Sequence, residues 1–355
     1  MSGIEKDMGS LVSVVMPVFN AENYIESCLD ATIRQTYQDI EIIIIDDGSV
    51  DSTVEKCEEY RKKDNRIKII STDNNGPSNA RNVGIENANG DYIVFFDADD
   101  RPERDLIEWY MRALGQWNGK DISFILCGMY YDNLLNKNAD DRIVILEAQY
   151  GFIPGENYLL KRNYAATLAW LKIFNFVTNK CYKLSEIKAH NIRFDEKVSI
   201  GEDLKFNLDY LDSCRGYIGM INAPLYHYIK RNKDSLSLSY HESDLEDTKE
   251  IYRRLLEWES RQNGVTEDNM AVLKSIFITD WTSRLTTIYD NARDNKRIHE
   301  VVGKLNKEVG SSEFQDMLKQ IYKAHKISSV RYLALRTGRF LVFCYLREFY
   351  KFLKG

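Results

Sequence analysis

LVSVVMPVFN (11–20) is an apolar, β-branched run that ends in Pro17 and Asn20. It is followed by AENYIESCLDATIRQTY (21–37), in which apolar side chains recur at helical spacing, and by a second apolar run, IEIIIIDDGS (40–49). Two continuous apolar runs are typical of strands that are buried on both faces, and the segment between them has the period of an amphipathic helix. The stretch therefore predicts a strand–helix–strand unit with parallel strands.

The next segments continue this alternation. DSTVEKCEEYRKK (51–63) reads as a helix before the strand IKII (67–70), and SNARNVGIENA (78–88) reads as a helix before DYIVFFDADD (91–100). The order predicts an α/β domain with a Rossmann-like, mainly parallel central sheet. From about residue 240 the sequence changes to long charged segments with apolar side chains at helical spacing. We therefore expect a sheet-containing domain at 1–240 and a helical region at 241–355.

The composition is that of a soluble globular protein. The chain has 355 residues, 44% of them hydrophobic, with a net charge of −6 and a pI near 5.6. This acidic balance argues against nucleic acid as the main partner. Because the N-terminus has no apolar signal region and no run of about eighteen apolar residues occurs, a cytoplasmic protein is expected. The six cysteines form no CxxC pair, which favours reduced, buried thiols over disulfides or a zinc site.

Polar clusters follow three of the predicted strands: Pro17–Asn20, Asp46–Asp47 and Asp97–Asp100. In open α/β sheets ligands bind outside the carboxyl ends of the strands, so one crevice is expected to collect all three clusters. The sequence has no G-x-G-x-x-G after the first strand and no G-x-x-x-x-G-K-[ST]. These missing patterns argue against a dinucleotide-dependent enzyme and a P-loop NTPase.

FFDADD (95–100) places three carboxylates directly after an apolar strand. Such closely spaced charges repel one another, and their desolvation is costly unless a cation or hydrogen-bond donors compensate. The cluster therefore predicts a bound partner at this strand end. A solvated acidic turn is the alternative for an isolated D-x-D triplet.

Three segments resemble the family 2 glycosyltransferases of the GT-A fold: 12–53, with VSVVMPVFN and IIIIDDGS; 74–100, with SNARN and DADD; and 192–211, with GED. The resemblance covers about residues 11–238. It implies metal-dependent, inverting transfer of a sugar from a nucleotide sugar, a UDP-sugar, to a hydroxyl of a glycan or lipid-linked glycan in surface polysaccharide synthesis. Because the Q-x-x-R-W motif of processive synthases and membrane spans are missing, transfer of a single sugar is expected.

The resemblance also implies a donor site. Asp99 is the expected direct ligand of Mn²⁺ or Mg²⁺, with Asp97 as the second metal-site residue or on the ribose, because hard carboxylate oxygens suit these ions. Asp47 would accept from the uracil N–H, unless it only caps the next helix. The remaining residues implied for the nucleotide and its phosphates are Pro17, Phe19, Asn20, Arg81, Lys230, Arg231 and Ser235.

On the acceptor side, the resemblance implies that Asp203 is the general base and that Glu202 orients it or the acceptor. Carboxylates in the first turn of a helix also interact favourably with its dipole, so simple capping is the alternative. His227, between two tyrosines, is expected to be a packed or surface residue more often than a metal ligand. Lys180 resembles a family lysine near the acceptor, with no role assigned.

The segment RTGRFLVFCYLREFYKFLKG (336–355) predicts one basic amphipathic helix. Its basic side chains share one sector: Arg336, Arg339, Arg347, Lys351 and Lys354. Such a helix could lie on an anionic membrane surface near a lipid-linked acceptor, or pack its aromatic side on the protein or on a second copy of the chain.

Two other functions compete with sugar transfer. A sugar-nucleotide pyrophosphorylase shares an α/β nucleotide-binding fold, but its Gly-rich loop after the first strand is replaced here by PVFNAENY (17–24). A non-catalytic nucleotide- or glycan-binding module would not need Asp97, Asp99 and Asp203 together. Glycosyl transfer is therefore the favoured prediction.

Overall fold

A computed structural model of the chain describes residues 9–134, 142–146, 152–198, 200–231 and 243–354. By their contacts these residues form two compact units. The first contains the described residues up to Tyr164 and those from Leu171 to Arg231, and the second contains Ala165–Trp170 and the described residues from Ser243 onward. The predicted boundary near residue 240 lies outside the described residues and stays a prediction.

One sheet forms the centre of the first unit. Its strands are β1 (Val12–Val18), β2 (Ile40–Asp46), β3 (Ile67–Ser71), β4 (Tyr92–Phe95), β5 (Arg101–Pro102), β6 (Ile122–Asn133), β7 (Arg142–Val144), β8 (Asn157–Leu160), β9 (Lys180–Lys183) and β10 (Tyr217–Lys230).

The α-helices among the described residues are α1 (Ile25–Ile33), α2 (Thr53–Lys63), α3 (Pro77–Asn87), α4 (Leu106–Gln116), α5 (Ala165–Trp170), α6 (Leu184–Ala189), α7 (Glu202–Ser213), α8 (Asp244–Ser260), α9 (Glu267–Asp294), α10 (Ile298–Gly310), α11 (Ser312–Lys323), α12 (Ser329–Arg336) and α13 (Phe340–Lys354).

The strand order of the sheet is β3-β2-β1-β4-β9-β6-β10-β5, with β7 paired to β6 and β8 to β10. The first four strands in this order are parallel to one another, and β10 is parallel to β6. The predicted α/β sheet is therefore confirmed. Strand β9 is antiparallel to both of its neighbours, a feature that the sequence analysis does not predict.

The carboxyl ends of β2, β1 and β4 lie side by side. Val18 at the end of β1 pairs with Asp46 of β2, and Val15 of β1 pairs with Phe95 at the end of β4. The chain that leaves each strand therefore reaches the same edge of the sheet, as expected for parallel neighbours.

Two packing features hold helices α3 and α7 over this edge. A Cβ atom at Gly84 of α3 would lie 2.2 Å from a methyl carbon of Val15, so this close approach of helix and strand requires glycine. Phe206 of α7 packs on Phe95 of β4 and stacks on Phe194, with ring centroids 5.9 and 4.2 Å apart. Because these aromatic side chains are buried, they fix the start of α7 relative to the end of β4.

The second unit is helical, as predicted from its periodicity. Its buried side chains include Trp258 of α8 and the stacked pair Phe277 and Trp281 of α9. The prediction of one helix over 336–355 is wrong, because α12 ends at Arg336, Gly338 takes a positive φ of 67°, and α13 begins at Phe340. Among the described residues, no helix is long and apolar enough to cross a membrane.

Candidate active site

The acidic cluster after β4 is held by groups of β10 and the residue that follows it. The Oδ1 atom of Asp100 accepts from the backbone N–H of Ile229 at 2.9 Å, and the backbone N–H of Asp97 donates to the hydroxyl of Tyr226 at 3.1 Å. Arg231 donates from Nε to the carbonyl oxygen of Asp99 at 3.0 Å. Asp100 is buried, whereas Asp99 is exposed. The cluster therefore leaves Asp99 accessible to a ligand.

Burial and neighbouring carboxylates raise the pKa of both Asp99 and Asp100. Burial, together with the charges of Asp99 and Asp97, raises the pKa of Asp100 well above its usual range. Loss of water on its inner side and the neighbouring Asp97 raise the pKa of Asp99 to about 6, although the residue as a whole stays exposed. Such mutual repulsion would be relieved by a cation at the exposed side of the cluster.

Arg81 of α3 joins this cluster to the second acidic pair. Its Nη2 atom donates to Oδ1 of Asp97 at 2.9 Å, and its Nη1 atom lies 3.4 Å from Oδ1 of Asp203 and 3.7 Å from Oε1 of Glu202. Only 6% of the Arg81 side chain is exposed. Both acidic pairs are predicted from the sequence to lie in the site, and the structure adds that the guanidinium of Arg81 contacts both of them.

Burial alone would lower the pKa of Arg81, but the charges of Asp97, Asp203 and Glu202 outweigh it and raise that pKa. The guanidinium is therefore permanently charged. It also lies over the ring of Phe194, 5.3 Å from the ring centroid. Arg81 thus forms part of a buried ion-pair network rather than the solvated surface pair that a lone helical arginine usually makes.

Asp203 is enclosed but has one oxygen available. Its Oδ2 atom accepts from the backbone N–H of Val177 at 3.0 Å, whereas its Oδ1 atom has no hydrogen-bond partner among the described residues. Burial raises the pKa of Asp203 to about 7; Arg81 opposes this shift, and Glu202 and Asp97 add to it. Burial likewise raises the pKa of Glu202. A carboxylate with a pKa near neutrality and an oxygen that accepts no hydrogen bond is suited to take a proton.

The first two strand ends form the neighbouring part of the edge. Both oxygens of Asp47 accept from backbone amides, that of Asn75 at 2.9 Å and that of Gly76 at 2.8 Å. Asp47 therefore anchors the chain before α3, and each oxygen keeps one further lone pair for a ligand. Asn20 has a positive φ of 45° and accepts from the N–H of Val50 at 2.9 Å.

Comparison with known proteins assigns part of the chain to a family. Residues 13–183 match the family described as glycosyl transferase family 2. This segment of the chain belongs to that family. The predicted resemblance is thereby confirmed, and the segment contains Arg81 and the acidic cluster but not Glu202 or Asp203.

Two relatives and one solved structure illustrate the family likeness. The chain is 33% identical over 231 residues to the uncharacterized glycosyltransferase EpsJ of Bacillus subtilis. The aligned region covers 64% of this chain and 63% of EpsJ. It is 28% identical over 238 residues to a poly(ribitol-phosphate) beta-glucosyltransferase of Bacillus spizizenii, covering 64% of this chain and 34% of that protein. A crystal structure of S. aureus TarS 1–349 with UDP-GlcNAc matches 96% of this chain and 91% of that one, with a TM-score of 0.62 and 19% identity. This last likeness concerns the fold and confirms the predicted GT-A class.

Four of the other residues implied by the family lie at or near the same edge: Pro17, Phe19, Lys230 and Arg231. Pro17 belongs to β1, and Phe19 is 47% exposed. Lys230 ends β10, and the guanidinium of Arg231 lies 5.6 Å from the ring centroid of Tyr24. Ser235 lies outside the described residues. The assigned roles of these residues remain predictions.

His227 is a packed residue in this structure. Its ring nitrogens lie 2.7 Å from Oε1 of Glu103 and 2.8 Å from Oδ2 of Asp132, and its ring stacks on Tyr130 at a centroid distance of 4.2 Å. Both nitrogens thus have carboxylate partners outside the acidic cluster. The sequence leaves open whether His227 is a packed residue or a metal ligand, and these contacts favour a packed residue.

The carboxylates after β4 fit a divalent cation. Within the part of the chain that is described, no group of three or more His, Cys, Asp or Glu side chains could hold a metal by itself. Asp97 and Asp99 nevertheless offer hard oxygen atoms beside the buried carboxyl group of Asp100, and a diphosphate would supply further oxygen ligands. The donor set therefore suits Mn²⁺ or Mg²⁺ together with a nucleotide.

Proposed function

We propose that this protein transfers a single sugar from a UDP-sugar to a hydroxyl group of a glycan or lipid-linked glycan, with inversion at the anomeric carbon. The proposal is supported by the family, by the edge of the sheet that collects the strand ends, and by the separation of two acidic pairs. The TarS structure with UDP-GlcNAc supports a UDP-sugar as the donor by analogy.

In this proposal, the donor lies along the strand ends. Phe19 and Pro17 pack on the base, Asp47 accepts from its N–H, and Arg231 and Lys230 donate to phosphate oxygens. A divalent cation held by Asp99 and Asp97 would neutralise the oxygens of the leaving diphosphate. Arg81 holds Asp97 in place through the hydrogen bond described above.

Asp203 acts on the acceptor. The acceptor oxygen forms a bond to the anomeric carbon while the bond from that carbon to the diphosphate oxygen breaks, and the electron pair of that bond leaves with the nucleotide. Asp203 takes the hydroxyl proton on Oδ1, which has no hydrogen-bond partner among the described residues and lies 3.4 Å from Nη1 of Arg81, and Val177 keeps the carboxylate oriented through Oδ2. Glu202 orients the acceptor or the base.

One observation carries the proposal: the buried guanidinium of Arg81 contacts both Asp97 and Asp203. Asp97, a proposed donor-binding carboxylate, and Asp203, the candidate base, therefore contact the same guanidinium group at one edge of the sheet. A nucleotide-binding module would need the first carboxylate alone. A site built to bring a donor and an acceptor together needs both.

The test is a panel of UDP- and GDP-sugars, scored for nucleotide release and for labelled product with Mn²⁺ and a set of polyol-phosphate and lipid-linked glycan acceptors. Polyol phosphates are included because one relative is named as a poly(ribitol-phosphate) glucosyltransferase. We expect acceptor-dependent release from a UDP-sugar that excess chelator abolishes. UDP binding without release or product across the whole panel would favour a binding module, and full activity in chelator would refute the metal dependence.

We further propose that helices α12 and α13 contact an anionic membrane surface, where a lipid-linked acceptor would be found. Leu333, Tyr345 and Phe349 expose 63%, 69% and 56% of their surfaces, with Tyr345 and Phe349 one turn apart on α13. Arg347 faces inward instead, because it pairs with Asp290 of α9 at 2.7 Å. The side chains of Lys351 and Lys354 lie outside the described residues.

A further inference from the structure

Lys180, the first residue of β9, is completely buried and makes all of its polar contacts with oxygen atoms. Its ammonium group donates to the carbonyl oxygens of Ile173 and Phe176 and to Oδ1 of Asn179, the first and third at 3.0 and 2.9 Å. An ammonium group has three protons, and these acceptors use all three. Two of the acceptors belong to the backbone of the segment before β9, so Lys180 fixes the path of that segment.

Asn207 of α7 holds the same segment from the other side. It is also fully buried, and its Nδ2 atom donates to the carbonyl oxygens of Phe174 and Phe176 at 2.8 and 3.1 Å. The carbonyl of Phe176 thus accepts from both Lys180 and Asn207. The next amide along the chain, that of Val177, is the one that donates to Asp203. Asp203 and Asn207 are one helical turn apart on α7, so they lie on the same face of the helix.

We infer that Lys180 is a positioning residue for Asp203: by binding the carbonyls of Ile173 and Phe176, it presents the N–H of Val177 to the carboxylate of the base. This inference rests on the proposed function, since Asp203 is a base only if the protein transfers sugar. The contact itself is a property of the structure and can be tested without catalysis.

The residue type at position 180 supports this role. Burial lowers the pKa of Lys180 to about 7, with Asp203 opposing the shift. A buried cation is unfavourable unless its donors are satisfied, so an apolar residue would be the simpler choice for packing alone. Methionine has a similar length but no donors, and it would leave the carbonyl of Ile173 with one donor fewer and that of Phe176 with only Asn207.

The experiment compares Lys180→Met with a matched control, Asn222→Ala. Asn222 of β10 is equally buried and also holds loop backbone, but among the described residues its side chain forms these hydrogen bonds with Leu146 and Ile153 rather than with residues 173–177. Amide exchange of the 173–179 segment, read by mass spectrometry, should rise about tenfold or more in Lys180→Met and stay unchanged in Asn222→Ala. Both variants are compared at equal folded fraction.

Transfer kinetics give the second readout. For Lys180→Met we expect kcat to fall about 10- to 100-fold, because a small misplacement of the base is costly, while UDP affinity stays within about threefold. The acidic limb of its pH–rate profile should move to higher pH, since Asp203 loses a hydrogen bond to its charged form and a nearby positive charge. Asn222→Ala should keep the wild-type limb.

Lys180→Arg and Asn207→Ala replace Lys180→Met if that variant does not fold. Lys180→Arg retains donors and should recover part of the rate. Asn207→Ala should loosen the same segment as Lys180→Met does. Three results would overturn the inference. Amide exchange of residues 173–179 could be unchanged in Lys180→Met, or the acidic limb of its pH–rate profile could stay in place. Lys180→Met and Asn222→Ala could also lose kcat and UDP affinity equally. If the wild-type protein transferred no sugar, the proposed function would fail, and the exchange data alone would decide on Lys180.

Discussion

The two acidic sites of this protein carry the same kind of side chain in different surroundings. Asp97–Asp100 follows β4 and is held by hydrogen bonds with backbone and side-chain groups of Tyr226, Ile229 and Arg231, with Asp99 exposed. Asp203 lies in the first turn of α7, exposes only 15% of its side chain, and contacts Arg81 and the amide of Val177. The open site suits a ligand that carries its own cation, whereas the enclosed site suits a proton acceptor. The surroundings, rather than the carboxylate itself, separate the two proposed roles.

The largest expected effect is that of Asp203→Asn on the transfer step. The amide keeps the size of the side chain and can still accept from Val177, but it has no basic lone pair. We expect the single-turnover rate to fall by roughly two to four orders of magnitude. Asp209→Asn, later on the same helix, is the control and should transfer at the wild-type rate; a wild-type rate for Asp203→Asn would mean that Asp203 only caps α7.

Arg81→Lys breaks the link between the two sites. A lysine has one nitrogen where the guanidinium uses Nη2 for Asp97 and Nη1 for Asp203 and Glu202. We expect kcat and UDP affinity each to fall by about tenfold or more, because both sites lose an oriented partner. Arg66→Lys removes a similar fork that binds Asp64 outside the site and should leave both values unchanged. A loss confined to one of the two values would show that Arg81 serves only one site.

The pH dependence of transfer should follow Asp203. Its pKa is raised to about 7, and a base must be ionised to take a proton, so the rate should rise with pH through 7 and then level off. Below the pKa we expect a loss of about tenfold per pH unit. Rates measured from pH 5.5 to 8.5 on saturated donor would check this, and a flat profile over that range would exclude Asp203 as the titrating base.

The smallest expected effect on chemistry belongs to the second unit. Changing Leu333, Tyr345 and Phe349 together to glutamate should abolish binding to vesicles of anionic phospholipid, while transfer to a soluble acceptor stays within about twofold. These point changes are preferable to truncation, because Phe340 and Cys344 of α13 are buried. Tyr217→Glu, at an exposed position of the first unit, is the control. Undiminished vesicle binding by the triple variant would exclude this face as the membrane contact.

The parts of the fold that depend on local pattern could be predicted from the sequence. The apolar runs of β1, β2 and β4 and their polar ends are visible in the sequence, and the parallel order places these ends at one edge. The single C-terminal helix was mispredicted because the helical period of the side chains continues across Gly338, while the backbone at that residue does not.

The link between the two acidic sites could not be predicted in the same way. It depends on how Phe206 of α7 packs against Phe95 and Phe194, contacts between segments that are far apart in the sequence. The supports of Asp203 and Asp100 are backbone amides, those of Val177 and Ile229, which have no side-chain signature. Tyr226 could have been noticed in the sequence, because it lies next to His227 and close to the basic segment. Its hydrogen bond with the amide of Asp97, however, requires strands that are far apart in the sequence to come together.

The most direct test of separate roles is a calorimetric titration of UDP with Mn²⁺ into the wild-type protein, Asp99→Asn and Asp203→Asn. We predict that Asp203→Asn binds UDP within about threefold of the wild-type affinity, whereas Asp99→Asn binds at least about tenfold more weakly, because in the proposed function only the first site holds the cation and the diphosphate. Equal weakening in both variants, or weakening in Asp203→Asn alone, would contradict the division of the two acidic sites into a donor site and a base.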